Sequence, residues 1–92
     1  MFLAKVVGKV VSTQKNEKLI GTKLLMVKLI DENKNIIEDK ILVAVDTSGA
    51  GNGDTVLVVK GIAASIAYYD KKIPTDASIV GIVDSIEIDD FD

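Results

Sequence analysis

The sequence predicts an all-β fold: a small closed or nearly closed barrel of five strands, with one short helix between the fourth and the fifth. Three observations carry this. The N-terminal residues alternate apolar and polar, four more short runs rich in Val, Ile and Leu follow, and Gly-, Asn- and Asp-rich punctuation separates them. Short strands punctuated in this way suit a small barrel.

In chain order, Phe2–Val11 places Phe2, Ala4, Val6, Gly8 and Val10 on one face and Lys5 and Lys9 on the other, the period of a strand with one buried side. Ser12–Lys18, "STQKNEK", is polar and reads as a loop. Lys23–Ile30, "KLLMVKLI", is apolar enough for a strand buried on much of both faces, and "DENKN" at Asp31–Asn35 is turn material. A third strand is expected over Ile36–Val45, with Glu38–Lys40 as its exposed, bulged part. After the loop "DTSGAGNGD" at Asp46–Asp54, Thr55–Lys60 is a fourth strand of β-branched character. Gly61 ends it. Alanine-rich "IAASIAYY" at Ile62–Tyr69 reads as the short helix, and Asp70–Asp76, holding the only proline, Pro74, as an irregular connection. Ile79–Ile88, "IVGIVDSIEI", is the expected fifth strand, followed by an acidic tail at Asp89–Asp92. The 92 residues form one domain without internal repeats.

Composition removes whole classes of function. With no cysteine and no histidine, one chain can form neither a disulfide nor a thiolate or imidazole metal site, and imidazole acid–base catalysis is excluded. All 11 basic residues are lysine, so the planar fork that reads phosphates and base edges is missing. A formal net charge of −3 opposes a phosphate backbone, and two Phe and two Tyr offer few stacking platforms, so no nucleic-acid partner is expected. "ILVAV" at Ile41–Val45, the longest purely aliphatic stretch, is far too short to cross a bilayer. The N-terminus lacks the basic start and long apolar centre of a signal peptide. The protein therefore reads as cytoplasmic, with no membrane partner. At 48% hydrophobic residues and a mean hydropathy of +0.32, it is apolar for so small a domain. That points to surface reserved for a partner or to a very dry core.

The loop Asp46–Asp54 carries three glycines in five positions, Gly49, Gly51 and Gly53. As a dinucleotide site it fails, because G-x-G-x-x-G would put the third glycine at Asp54, and the segment leads into a strand instead of a helix. As a P-loop it lacks Gly-Lys before Ser or Thr, and Asp54 would repel phosphate. A shaped loop fits better: glycine supplies positive φ or close backbone approach, and Asp46 and Asp54 accept hydrogen bonds from loop amides. A small-molecule site is the minor alternative. Asp31, Asn33 and Asn35 alternate as calcium ligands do, yet Ile36 stands where the sharp turn needs glycine and Leu42 where a bidentate Glu belongs. A hairpin turn is the better account there. No metal or other cofactor is expected. Ser65 and Tyr68 have no recognisable activating partner, and no residue is assigned to catalysis.

The glycine loop does not stand alone. "GKVVSTQKNEKLIGTKLLMVKL" at Gly8–Leu29, "VAVDTSGAGNGDTVLVVKG" at Val43–Gly61 and "PTDASIVGIVD" at Pro74–Asp84 occur in this order and with these separations. Together they closely resemble the pentameric vertex proteins of bacterial microcompartment shells, the carboxysome and ethanolamine-utilisation type. The resemblance covers nearly the whole chain. It implies an OB-like five-stranded barrel that assembles into a cyclic ring, a homopentamer capping the five-fold vertices of a cytoplasmic shell. It also implies facets built by hexameric shell proteins of another fold, and no catalysis. Flat hexagonal sheets need five-fold defects to close, and a cyclic ring joins one patch to a different patch on the next copy.

The family positions matched here are Asp46, Gly49, Gly51, Gly53, Asp54 and Gly61, then Pro74, Asp76, Ala77, Gly81 and Asp84, which the resemblance implies shape the fold and the subunit contacts. The pattern departs at one place. Relatives commonly have a small polar residue after the glycine and an arginine four positions past it, where this chain has Ile62 and Ser65. Two alternatives stay open: a ring of six copies, and an OB-like module that binds an oligonucleotide or a small ligand.

Overall fold

The computed structural model describes residues 1–13, 16–18, 21–61, 64 and 75–89. Five strands, β1 Phe2–Val10, β2 Lys23–Leu29, β3 Leu42–Asp46, β4 Thr55–Lys60 and β5 Ala77–Ile82, close into a barrel in the order β1-β2-β3-β5-β4. Neighbours are antiparallel except β3 and β5, which run parallel through Val45↔Ser78 and Asp46↔Ile79. This is the five-stranded closure of an OB-type barrel.

Alternation along each strand builds the core. Ala4 and Val6 of β1, Leu25 and Val27 of β2, Ala44 of β3, Val56 and Val58 of β4, and Ala77 and Ile79 of β5 form one buried cluster, joined by Ala50 from the glycine loop. A narrow lumen filled by side chains suits this mixture of alanines and branched residues. Each fully buried Val or Ile contributes about 1.5–3 kcal/mol by leaving water. Outside the lumen, Val45 and Ser78 are also buried, and the Ser78 hydroxyl donates to the carbonyl of buried Ala64 at 2.6 Å.

Three sequence expectations need correction. β1 keeps its alternation only as far as Val6, because a bulge between Val6 and Gly8 shifts the register so that Gly8 pairs with Met26, Lys9 with Leu25 and Val10 with Leu24. One extra residue inverts a period of two. Gly8 and Val10 therefore leave the inner face, and Lys9 turns to the side of Leu25.

The third strand is shorter than Ile36–Val45. Asp31 closes the preceding turn, its carboxylate accepting the Asn33 and Asn35 amides at 2.9 and 3.0 Å. Ile36 then bridges to Ile30 and the Ile37 amide donates to the Leu29 carbonyl at 3.0 Å, but regular pairing resumes only at Leu42. The charged run Glu38–Lys40 stays in water, where such residues are better solvated than in a sheet.

β5 spans Ala77–Ile82 instead of Ile79–Ile88. It starts earlier because Ala77 and Ser78 pair with Lys60 and Val59. It stops because β4 begins at Thr55, whose carbonyl accepts the Val83 amide at 2.8 Å, and beyond it β4 offers nothing further to pair with. The helix expected over Ile62–Tyr69, apart from Ala64, lies outside the described residues, as do Pro74 and the acidic tail after Asp89.

Candidate functional site

The glycine loop is anchored at its first residue. Asp46 ends β3 opposite Lys23, the first residue of β2. Its side chain is almost fully buried, at 6% exposure for the residue, and a charge held there needs partners. It has two: the Ser48 amide donates to one carboxylate oxygen at 2.9 Å, and the Lys23 ammonium sits 3.6 Å from the other. The same ammonium donates to the Ala50 carbonyl, which pins the loop crest over β2. Thr47 ties the loop to β5, its amide and hydroxyl both donating to the Ile79 carbonyl, at 3.1 and 2.6 Å.

The far side of the loop is paired to β1 at its bulge. The Gly53 amide donates to the Val6 carbonyl and the Val6 amide to the Asp54 carbonyl, both at 2.9 Å. Gly49 at φ 76° and Gly53 at φ 90° supply the two left-handed turns that let the chain descend to the core at Ala50 and return. Gly51 differs, since its φ is not positive and an added Cβ would lie 3.9 Å from the Asp54 carboxylate, an ordinary contact.

This arrangement decides what the loop can do. The Gly51 amide is already taken by the Asp54 carboxylate at 2.8 Å, an internal anion where a phosphate would have to sit. Asp46, Gly49, Gly51, Gly53 and Asp54 are thus brought together, but as a self-satisfied turn. Gly61 and Asp76 meet at the other end of the barrel, where the Gly61 amide donates to the Asp76 carbonyl at 2.9 Å. Ala77 is in the core, Gly81 lies opposite Leu57 in β4, and Asp84 is exposed just past β5. Among the described residues no three carboxylates gather as a metal site would need.

Sequence reasoning missed Lys23. It faces Asp46 across the β2–β3 pair, so the signal was cross-strand register. That register is readable only once the residues 38–41 between the turn and β3 are known to lie outside the ladder. Beside the loop, an open groove of about 450 Å³ is lined by Gly8, Lys9, Lys23, Leu25, Gly51 and Asn52. Large apolar side chains also lie in water at Ile36, Ile37, Ile41 and Val43, and at Val80, Ile82 and Ile88 near the C-terminus, which is more than a self-contained small barrel needs to expose.

Residues 1–84 match the family model described as ethanolamine utilisation protein EutN/carboxysome. The bacterial microcompartment shell vertex protein GrpN of Rhodospirillum rubrum is 49% identical over 87 residues, covering 95% of this chain and 97% of the relative. A solved structure of the GrpN pentameric microcompartment shell protein from Rhodospirillum rubrum superimposes with a TM-score of 0.82 at 46% identity, over 96% of this chain and all of that one. The structure of Gloeobacter violaceus CcmL gives a TM-score of 0.86 at 38% identity, over 97% of this chain and 91% of that one.

Proposed function

The chain belongs to the ethanolamine utilisation EutN/carboxysome family of shell vertex proteins, and we propose that it acts as a homopentamer closing the five-fold corners of a bacterial microcompartment shell. The observation that carries this reading is a fold match along nearly the whole chain to a shell protein described as pentameric. Chemistry is not required of it. The glycine loop consumes its own amides and carboxylates, and what the barrel leaves over is apolar surface suited to packing against copies.

The job is geometric. A ring of five supplies the curvature that a sheet of hexagonal tiles lacks, so the partners are further copies of this chain and hexameric shell proteins around them. Assembly also stabilises a domain too small to bury much surface alone. Light scattering on the purified chain tests the ring: the expected mass is five times the 9.8 kDa of one copy. Six copies would place the chain in the family without the corner role, and a stable single copy at micromolar concentration would overturn the reading.

A further inference from the structure

Three features at one end of the barrel point to the same contact. The first is a strand without a sheet. Residues 85–89, "SIEID", keep the alternation of a β-strand, with Ile86 and Ile88 on one side and Glu87 and Asp89 on the other, yet the last ladder bond is made at Val83. Ile88 is left 59% exposed. The segment's start is partly covered, at half-buried Ile86, while its end, Ile88 with the flanking acids, lies in water in a single copy.

The second is the groove beside the glycine loop. The bulge in β1 turns Lys9 into it, next to Lys23, while buried Leu25 and the bare backbone of Gly8 and Gly51 form its floor. Lys9 belongs to neither of the ion pairs among the described residues, which are Lys23–Asp46 and Lys28–Asp39. Gly51 needs no positive φ and has room for a Cβ within its own chain. Glycine at a position the chain itself does not demand is what close approach of another backbone requires.

The third is topology. The barrel is closed, and its only loosely paired seam is β3 against β5, joined through Val45↔Ser78 and Asp46↔Ile79, so little strand edge is left for a second copy to extend. Copies then meet mainly through side-chain faces or through segments that leave the barrel. β5 leaves beside Thr55, the residue directly after the glycine loop, so the free segment starts at the end where the groove opens. Extended, residues 83–89 reach about 23 Å, roughly the width of a small barrel.

We propose that residues 85–89 of each copy lie in the groove beside the glycine loop of the next copy, with Ile88 over the floor of Leu25 and Gly51 and the acids at the lysine rim, Glu87 and Asp89 facing Lys9. This rests on the ring proposed above and names its joint. The joint is heterologous, as a cyclic ring requires: each copy gives one segment and receives one. Opposite charge on the two parts sets direction and register, and the apolar floor supplies the burial.

The chain has no cysteine, which makes covalent trapping clean. The full-length double variant Asn52→Cys/Ile88→Cys, oxidised and run on a denaturing gel without reductant, is expected to give a ladder ending at five copies. Each single-cysteine variant alone is expected to stop at two. A double variant confined to one-copy bands, whether from a bond within the chain or from none, would overturn the proposal.

A charge swap reads the same contact without a new bond. Lys9→Glu and Glu87→Lys are each expected to raise the concentration at which the ring dissociates about tenfold at low salt, and the two together to recover most of the loss. Failure of the pair to recover would also overturn it. If the unaltered chain is a single copy in solution, the ring reading falls and this inference with it. If the ring is intact and neither ladder nor recovery is seen, the segment contact alone falls.

Discussion

The glycine loop and the C-terminal segment 85–89 are opposites in sequence and opposites in structure. The loop is polar and glycine-rich, the composition of a ligand site, yet Asp46 and Asp54 bind its own amides and Lys23 caps its crest. The segment is alternately apolar and acidic, the pattern of ordinary sheet, yet among the described residues no strand pairs with it. A polar loop can complete itself because its partners are a few bonds away. A strand cannot, because its partner must be another strand or another molecule. For this domain, the surface needing an outside partner is therefore the one that looks structural.

The largest test of that contrast is Asp46→Ala. Removing the carboxylate orphans the Ser48 amide and strips Lys23 of its acidic partner, at a site where the Asp46 side chain is nearly sealed from water. Lys23 is half exposed and can re-solvate, so the loss is set mainly by the amide and the loop crest, about 2 kcal/mol. A urea denaturation midpoint at one fixed subunit concentration measures it, since ring assembly makes apparent stability concentration-dependent. A shift close to zero would mean the loop does not hold itself together through its carboxylates.

Next in size is Gly53→Ala, expected to cost somewhat more than about 1 kcal/mol because alanine is strained at φ 90° while the amide bond to Val6 must be kept. Thr47→Val follows at about 1 kcal/mol, from loss of the hydroxyl donated to Ile79 while the backbone bond to the same carbonyl survives. Thermal unfolding of the two variants side by side ranks them. The reverse order would place the loop's constraint in its tie to β5 instead of its left-handed turns.

Much of the fold was legible because barrels are built from local patterns. β4 is the expected Thr55–Lys60 to the residue, since β-branched side chains between two glycine-bearing turns leave little choice. What stayed hidden depended on partners far along the chain. The bulge at Val6–Gly8 inverts the face of Gly8 and Lys9, and nothing in "AKVVGKV" marks which residue is the extra one. Strands three and five are shorter than their composition suggests, for different reasons: in "IIEDKILV" the charged Glu38–Lys40 stays in water, and "IVDSIEI" runs past Thr55, where β4 begins. In the loop, the roles of Asp46 and Asp54 followed from local turn chemistry, whereas Lys23 needed the register of β2 on β3.

The smallest expected effect on the fold separates the two regions most sharply. Gly51→Ala and Ile88→Ser both change residues that the single barrel does not require: Gly51 has ordinary φ and a Cβ there would meet only an ordinary contact with the Asp54 carboxylate, and Ile88 is mostly in water. Each is expected to move the unfolding free energy of the dissociated chain by less than about 0.5 kcal/mol. Their effect on the ring is a separate quantity, read by dilution followed by light scattering. There a methyl group on the groove floor and a hydroxyl in place of the apolar anchor are both expected to promote dissociation. A variant that unfolds like the unaltered chain yet falls apart at higher concentration locates its residue in the joint between copies. One that loses fold stability instead would mean that the single barrel already uses that residue, and that the segment or the glycine belongs to the fold after all.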